Sequence, residues 1–264
     1  MAETMAPVAG ESADDARGED DIILRMEAVV AGYGSTTVLH GTNLEVPRNA
    51  ISTVIGPNGA GKSTALKAIF GMLKVRSGSI RYDGEDLAGL TQVELLQRGI
   101  SYVPQGRNIF PRMTVRANLE LGGVSLRDLS LTRQRVHDIA FELFPVLRTK
   151  ADTQAGHLSG GEQKMLELGR AMLLEPRLIL VDEPSVGLSP ILVRQVFALL
   201  RDLRDRGVTV LMVEQNAKRA LETSDHGMVL QQGRLALAGT AAEVLGHPEI
   251  GHLFLGGAMR VAAG

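Results

Sequence analysis

Residues 51–64 read ISTVIGPNGAGKST, and the fold of the chain is decided by this stretch. Residues 51–55 form an apolar run of buried-strand length, and residues 63–72 have the apolar spacing of a helix. Three glycines lie between them, and glycine is one of the residues that most strongly interrupts regular structure. The stretch therefore predicts a strand, a glycine loop and a helix in immediate succession.

The glycine loop has the spacing of a phosphate-binding loop: a glycine, four residues, then Gly-Lys-Ser. Glycines let successive amide groups point at phosphate oxygens, and the start of the next helix adds partial positive charge. Lys62 would reach the β- and γ-phosphates of a nucleotide, and Ser63 would ligate Mg²⁺. An ordinary strand-to-helix turn is the alternative interpretation. The candidate nucleotide-binding residues of this loop are Gly56, Pro57, Asn58, Gly59, Ala60, Gly61, Lys62, Ser63 and Thr64.

Two acids follow a second apolar run, residues 178–181. Asp182 fits the acid that holds a metal ion beside a phosphate loop, and Glu183 fits the general base that activates water. By itself, an acidic pair at a strand end is usually a solvated surface feature. Its place after a buried strand of the same predicted sheet favours a role beside Lys62.

A third motif, Leu-Ser-Gly-Gly-Glu-Gln, covers residues 158–163. Ser159 and Glu162 have the spacing of a capping box that begins a helix. A capping box does not require the two glycines Gly160 and Gly161, whereas contact of the backbone and a hydroxyl with a phosphate does.

Composition excludes several classes of protein. Lys and Arg total 28 against 30 Asp and Glu, so the net charge of −2 gives no global case for nucleic-acid binding. The chain has no cysteine, which excludes disulfides and thiolate metal sites. The longest apolar runs fall far short of the roughly 18 to 20 residues that cross a bilayer. Residues 1–21 carry seven acids and Arg17, which predicts an acidic disordered tail and no secretory signal.

Patterning along the chain predicts an α/β fold. Short β-like runs at 22–26, 38–39 and 44–46 resemble small antiparallel strands. A further β-like run at 79–82 leads into a turn. Later strands at 100–103, 178–181 and 208–213 occur among helices, and the alternation of strand and helix predicts a parallel sheet. Between residue 106 and about residue 172 the spacing is helical, notably at 114–121 and 131–147, so this part is interpreted as a helical insertion. Further caps are predicted at Thr91 with Glu94, at Ser189-Pro190, and at Thr240 with Glu243.

The three motifs together resemble the ATP-binding-cassette (ABC) family of ATPases over about residues 22–256. The resemblance implies a phosphate-loop NTPase core of the RecA-like type, with an N-terminal antiparallel β subdomain and an inserted helical subdomain. On this basis residues 22–264 form one ABC ATPase domain, whose core is 22–106 and 173–256 and whose helical subdomain is 107–172. The resemblance also implies a dimer, in which Ser159, Gly160, Gly161 and Glu162 serve the nucleotide held by the partner chain.

Further positions are assigned by the same resemblance. Tyr33 matches the aromatic residue that stacks on adenine, although packing in a glycine turn is the alternative for it alone. Gln105 matches the glutamine that senses Mg²⁺ and the γ-phosphate. The implied cofactors are ATP and Mg²⁺, with Ser63, Gln105 and Asp182 on the metal side.

Two positions depart from the usual family pattern. Gln215 stands where most members place a histidine that contacts the γ-phosphate, and a glutamine cannot carry a proton charge near pH 7. Ser189 stands where the dimer-interface loop usually ends in aspartate. Hydrolysis at this chain's own site is therefore expected to be altered, and pairing with a non-identical ATPase chain is a hypothesis. The implied catalytic residues are Lys62, Glu183 and Gln215.

Residues 103–115, 182–188 and 213–217 resemble the second ATPase subunit of branched-chain amino acid importers, and urea and short-amide importers share much of the pattern. The resemblance implies two membrane permease subunits, a solute-binding protein acting indirectly, and a cytoplasmic location on the inner face of the membrane. Ile109 and Phe110 would either contact a permease or be buried in the helical insertion. Two alternatives stay open: a soluble ABC ATPase outside transport, and an ATP-gated regulatory module with low turnover.

Overall fold

The computed structural model describes residues 21–106, 108–123, 133–248 and 250. Two sheets organise this part of the chain: a four-stranded antiparallel sheet and a six-stranded sheet. The strand order of the second is β10 (Arg234–Thr240), β9 (His226–Gln231), β3 (Ile51–Ile55), β8 (Thr209–Val213), β7 (Leu178–Asp182) and β6 (Ile100–Val103). The predicted acidic tail, residues 1–20, lies outside the described residues, as do 107, 124–132, 249 and 251–264. No helix in the described ranges is long and apolar enough to cross a membrane.

The six-stranded sheet forms the centre of the molecule. Every residue of β3, β7 and β8 is buried, because helices or the second sheet cover both faces. Five strands run parallel, and only the edge strand β10 runs antiparallel to its neighbour. The strands are β3 (Ile51–Ile55), β6 (Ile100–Val103), β7 (Leu178–Asp182), β8 (Thr209–Val213), β9 (His226–Gln231) and β10 (Arg234–Thr240). The predicted parallel α/β sheet is therefore confirmed, whereas β9 and β10 were not predicted.

The antiparallel sheet has longer strands than the sequence predicts. Instead of three short runs before residue 50, the chain forms two 12-residue strands, β1 (Ile22–Tyr33) and β2 (Thr36–Pro47). Bulges interrupt the pairing of β1 with β2 without ending the strands: the register shifts at several points, including between Met26 and Val29. The sheet is completed by β4 (Val75–Tyr82) and β5 (Glu85–Asp86).

The helices follow the predicted caps. Thr91, Ser159 and Thr240 each form a capping box, and Ser189 caps a helix with Pro190 at its first position. The helices are α1 (Lys62–Ile69), α2 (Gln92–Gln97), α3 (Val115–Gly122), α4 (Phe141–Leu143), α5 (Pro145–Thr149), α6 (Gly160–Met172), α7 (Pro190–Asp205), α8 (Ala217–Thr223) and α9 (Ala241–Gly246).

One predicted helix is not continuous. Within 131–147, residues 131–132 lie outside the described ranges and residues 133–135 are α-helical. A π-helical turn, Val136–Ala140, follows, and then α4 and α5. The break is at Phe144, which has φ −129° and ψ 76°. Proline disfavours the helical conformation of the residue before it, so Pro145 begins a new helix.

Two hydrophobic clusters cover the faces of the central sheet. One joins alternate strand residues such as Val181 and Met212 to α6, α7 and α8. The other joins residues such as Leu180 and Leu211 to α1 and the antiparallel sheet. The period of two along each strand sends neighbouring side chains to opposite clusters.

Candidate nucleotide-binding site

The predicted motifs meet at one edge of the central sheet. Because β3, β6, β7 and β8 run parallel, their carboxyl ends lie side by side, with Val103 paired to Val181 and Asp182 paired to Val213. The loops that follow these ends carry Gly56, Gln105 and Glu183, together with the residues after Val213. This edge is where open parallel α/β sheets place their ligands.

The glycine loop wraps around the Lys62 ammonium. Gly59 and Gly61 have φ of 81° and 102°, a backbone region that glycine enters without steric cost. Lys62 is 5% exposed, and its Nζ donates to the carbonyl oxygens of Gly56 at 2.7 Å and Pro57 at 3.1 Å. Burial lowers the pKa of Lys62, and the negative charges of Glu183, Asp182 and Glu214 oppose this shift. The loop thus holds a buried cation whose hydrogen-bond partners are the loop's own carbonyls.

Asp182 lies directly beside the start of α1. Its Oδ1 accepts a hydrogen bond from Ser63 Oγ at 2.8 Å, and its Oδ2 accepts one from Tyr102 OH at 3.0 Å. The sequence motifs bring Ser63 and Asp182 together as predicted. Tyr102 was missed. It pairs with Leu180, two positions before Asp182, so the side chains of Tyr102 and Asp182 share one face of the sheet, and this register is not visible in the sequence.

Glu183 is held by two carboxamides. Its Oε2 accepts from Gln105 Nε2 at 2.5 Å, and Gln215 Nε2 lies 2.9 and 3.0 Å from its two oxygens. The backbone of Glu183 has φ 46°, and its N–H donates to Val213 O at 3.0 Å. The carboxylate is buried while both glutamines are exposed. Two glutamines from two different loops thus converge on the carboxylate of Glu183.

Glu214 is a third buried acid at this edge, after Asp182 and Glu183, and sequence reasoning gave it no role. It has no exposed surface, and its carboxylate accepts from the backbone N–H of Ser185 at 2.8 Å and of Gln215 at 3.1 Å. Burial raises the pKa of Glu214, and these hydrogen bonds oppose the shift. Its only sequence signal is its position directly after a buried strand. The other two acids have similar positions, since Asp182 ends β7 and Glu183 follows it.

The residues at this edge fit a nucleotide with Mg²⁺. The glycine loop opens toward solvent at Pro57, Asn58 and Gly59, and a buried ammonium lies behind it. The hydroxyl of Ser63 and the carboxylate of Asp182 are hard oxygen donors, which Mg²⁺ prefers. A polyanion here would replace loop carbonyls as the partners of Lys62.

Tyr33 stands at the end of β1 and is 44% exposed. Lys67 Nζ, on α1, lies 3.4 Å from the Tyr33 hydroxyl and 5.7 Å from the ring centroid. The ring is thus placed beside the helix that follows the glycine loop, and it keeps enough free surface for a planar group to stack on it.

The residues of the Leu-Ser-Gly-Gly motif make contacts within their own helix and with α7. Ser159 Oγ accepts from Glu162 N at 3.3 Å, while the Glu162 carboxylate accepts from Ser159 N at 3.0 Å and from Lys150 Nζ at 2.6 Å. A Cβ on Gly161 would lie 2.4 Å from Leu192 Cδ2, so close packing against α7 also requires a glycine here. Within the described ranges, no hydrogen bond joins these residues to the glycine loop of the same chain.

Comparison with known proteins agrees with this geometry. Residues 39–186 match the ABC transporter family model. The high-affinity branched-chain amino acid transport ATP-binding protein BraG of Pseudomonas aeruginosa is 43% identical over 237 residues, which cover 89% of this chain and 100% of that protein. The probable branched-chain amino acid transport ATP-binding protein LivF of Archaeoglobus fulgidus is 38% identical, with 89% and 99% covered. The lipopolysaccharide export system ATP-binding protein LptB of Haemophilus influenzae is 34% identical, with 89% and 97% covered.

Solved structures give the same result for the fold. The crystal structure of a nucleotide-free ATP-binding cassette from an ABC transporter superposes with a TM-score of 0.81 at 29% identity, covering 89% of this chain and 99% of that one. The fold, the family match and the relatives therefore all point to one family. It is the family that the glycine loop, the acids at the end of β7 and the Leu-Ser-Gly-Gly helix start also indicate. The chain belongs to the ABC transporter family and has the fold of its ATP-binding cassettes.

Proposed function

We propose that this chain binds and hydrolyses ATP to energise an importer of branched-chain amino acids. The observation that carries the enzymatic part is the convergence of Lys62, Asp182 and Glu183 at one sheet edge. A buried cation, a metal-side acid and a second carboxylate are the three groups that phosphoryl transfer to water requires.

The chain's own residues supply binding first. The amides of residues 56–64 and the Lys62 ammonium would hold the phosphates, Tyr33 would stack on the adenine, and Ser63, Asp182 and Gln105 would face the metal. Bound Mg²⁺ neutralises developing negative charge on the phosphate oxygens. For binding to occur, Lys62 would leave the carbonyls of Gly56 and Pro57 to reach the phosphates. The Ser63 hydroxyl could offer a lone pair to the metal while it still donates its proton to Asp182.

Glu183 would act as the general base. A carboxylate that accepts hydrogen bonds from two carboxamides is oriented but also occupied. Rearrangement of Gln105 or Gln215 would free an oxygen of Glu183 to take a proton from water, and Gln215, which has no titratable proton, would position the carboxylate without exchanging protons with it.

The complete site is proposed to need a second cassette chain. The residues Ser159, Gly160, Gly161 and Glu162 make no described hydrogen bond to their own glycine loop, and they are proposed to contact a nucleotide held by the partner. Ser189 caps α7 through the N–H of Leu192 at 3.5 Å, so it keeps the capping role of an aspartate while lacking its charge. This difference and Gln215 support a non-identical partner.

A groove on the outer surface is proposed to receive the permease. It has a volume of about 500 Å³ and lies between β6 and α6, with Phe110 and Arg170 in its lining. Phe110 is 45% exposed and its ring lies under the Arg170 guanidinium at 5.4 Å, whereas Ile109 packs partly against the core. Of the two apolar residues predicted for this contact, Phe110 is the better candidate.

The transported solute is inferred from the relatives. The proteins BraG and LivF, at 43% and 38% identity, are named for branched-chain amino acid transport, and the 34% identity to LptB is lower. This supports a cassette on the cytoplasmic face of the membrane, bound to two permease subunits that receive solute from a binding protein. We keep the division proposed from the sequence, with core segments 22–106 and 173–256 and a helical subdomain at 107–172.

Two substitutions test the proposal at different steps. Lys62→Ala should abolish ATP binding, whereas Glu183→Gln should keep ATP binding and lower hydrolysis by about a hundredfold or more. In cells that lack the native gene, both variants should fail to restore leucine uptake. Normal uptake of branched-chain amino acids with Lys62→Ala would refute the importer assignment. If uptake of another solute were lost instead, the chain would be assigned to an importer of that solute.

A further inference from the structure

Tyr102 donates a hydrogen bond to Asp182, the acid proposed to hold the metal. It is the third residue of β6 and pairs with Leu180 in the parallel register of β6 and β7. Asp182 lies two residues after Leu180, so the side chains of Tyr102, Leu180 and Asp182 point to the same face of the sheet. That face packs against α1, which carries Ser63.

The two oxygens of Asp182 have different partners. Ser63 Oγ donates to Oδ1 at 2.8 Å, and Tyr102 OH donates to Oδ2 at 3.0 Å. If Ser63 and Asp182 both face a metal, the Ser63 hydroxyl can offer it a lone pair while its proton stays on Oδ1, which also keeps a free lone pair. The hydrogen bond from Tyr102 stays in place as well, because it occupies the other oxygen.

The phenol is suited to hold this carboxylate in place. Burial, followed by the negative charge of Asp182, raises the pKa of Tyr102, so its hydroxyl stays protonated and remains a donor. The ring is packed at 5.3 Å from the ring of Phe70, just after α1, and it also lines the outer groove. Because Phe70 supports the Tyr102 ring and the Tyr102 hydroxyl bonds to the carboxylate, rotation of the Asp182 side chain is limited.

We propose that Tyr102 is a positioning residue for the metal-side acid, holding Asp182 so that its other oxygen faces the metal. The proposal rests on the function proposed above. It predicts that the Tyr102 hydroxyl contributes to metal affinity and not to the affinity of the phosphate loop for metal-free nucleotide.

The test uses the full chain, a nonhydrolysable ATP analogue and Mn²⁺ as the metal probe. The dissociation constant of the analogue is measured by calorimetry with EDTA and with Mn²⁺, and the ratio of the two gives the gain due to the metal. Tyr102→Phe should keep the EDTA value and reduce the gain about tenfold, which is typical when a partner of a metal ligand is removed. The electron paramagnetic resonance spectrum of bound Mn²⁺ should change as well.

Tyr82→Phe is the matched control. The Tyr82 hydroxyl is buried and has no hydrogen-bond partner in the described part of the chain, so its removal should leave the metal-dependent gain unchanged. Because Phe keeps the ring of Tyr102, folding should persist, and thermal unfolding without ligand checks this. Tyr102→Leu, a second variant without the hydroxyl, should show the same loss.

A double-substitution cycle separates positioning from a general effect. In an Asp182→Asn background, Tyr102→Phe should cause no further loss of the metal-dependent gain. An unchanged gain and spectrum in Tyr102→Phe, or an equal loss in the Asp182→Asn background, would overturn the proposal. If the unsubstituted chain failed to bind the analogue at all, the proposed function itself would be refuted.

Discussion

The carboxylate of Glu183 accepts hydrogen bonds from Gln215 Nε2 at 2.9 and 3.0 Å, although the two residues lie in loops after different strands. Gln105 donates to the same carboxylate at 2.5 Å. Replacing the usual histidine of the family with a glutamine therefore leaves a donor on Glu183 but removes a group that titrates near neutral pH. The consequence can be measured as a pH dependence.

Gln215→His should introduce a new inflection into the pH profile of ATP hydrolysis. An imidazole has an ordinary pKa of about 6.5, and its protonated form beside Glu183 would weaken that carboxylate as a base. We expect the turnover of the variant, relative to the unsubstituted chain, to fall roughly tenfold between pH 7.5 and pH 5.5. Gln195→His, which adds a histidine to exposed surface on α7, is the control. Identical profiles for all three proteins would contradict a contact between residue 215 and Glu183 during turnover.

Glu214→Gln should change the pH dependence of stability. Burial raises the pKa of Glu214 above its ordinary value of 4.5. The folded protein then binds this proton more tightly than the unfolded chain, so the stabilisation is present below the ordinary pKa and is lost as the pH rises through the raised pKa. We expect the free energy of unfolding of the unsubstituted protein, relative to the variant, to decrease between about pH 4.5 and pH 7.

Urea unfolding followed by circular dichroism at several pH values measures this difference. Glu222→Gln, which removes an exposed charge 4.0 Å from Lys218, is measured alongside as the control for a change of surface charge. A flat difference curve for Glu214→Gln would show that Glu214 does not titrate differently in the folded protein.

Alanine substitutions should separate two roles of the loop glycines. A Cβ on Gly56 would lie 2.3 Å from the backbone oxygen of Leu230, whereas a Cβ on Gly59 meets no atom within 4 Å. Gly56→Ala should therefore destabilise the fold by about 2 to 3 kcal/mol through overpacking. Gly59→Ala should cost about 1 kcal/mol through its positive φ, and it should weaken ATP binding without unfolding the protein. Thermal unfolding and ATP titration measure the two effects, and equal losses of stability would contradict this division.

Gly161→Ala tests whether the packing of α6 against α7 requires the second glycine of the Leu-Ser-Gly-Gly motif. The new methyl group would force Leu192 to move, which should outweigh the gain in helix propensity and leave a net loss of about 1 kcal/mol. In a Leu192→Ala background the same substitution should be neutral or stabilising. Denaturant unfolding of the four proteins gives the coupling energy, and additive effects would show that Leu192 is not the constraint.

Local sequence patterns were sufficient for several elements of the site. The glycine spacing and flanking apolar runs predicted β3, the loop and α1, and the capping boxes at Thr91, Ser159 and Thr240 were predicted from two residues each. These features depend on neighbours within a few residues, so the information they need is local. Where a local signal was misleading, as at Phe144 or along β1 and β2, proline geometry or cross-strand pairing determined the structure.

The sequence by itself therefore determined that a phosphate loop, two strand-end acids and a Leu-Ser-Gly-Gly helix start exist. Only the tertiary structure decided which atoms meet. Tyr102 reaches Asp182 across 80 positions of sequence, and Ser63 reaches it across 119. Such contacts depend on the order and register of strands in the sheet, which arise from packing of the whole core and leave no signature in a short segment.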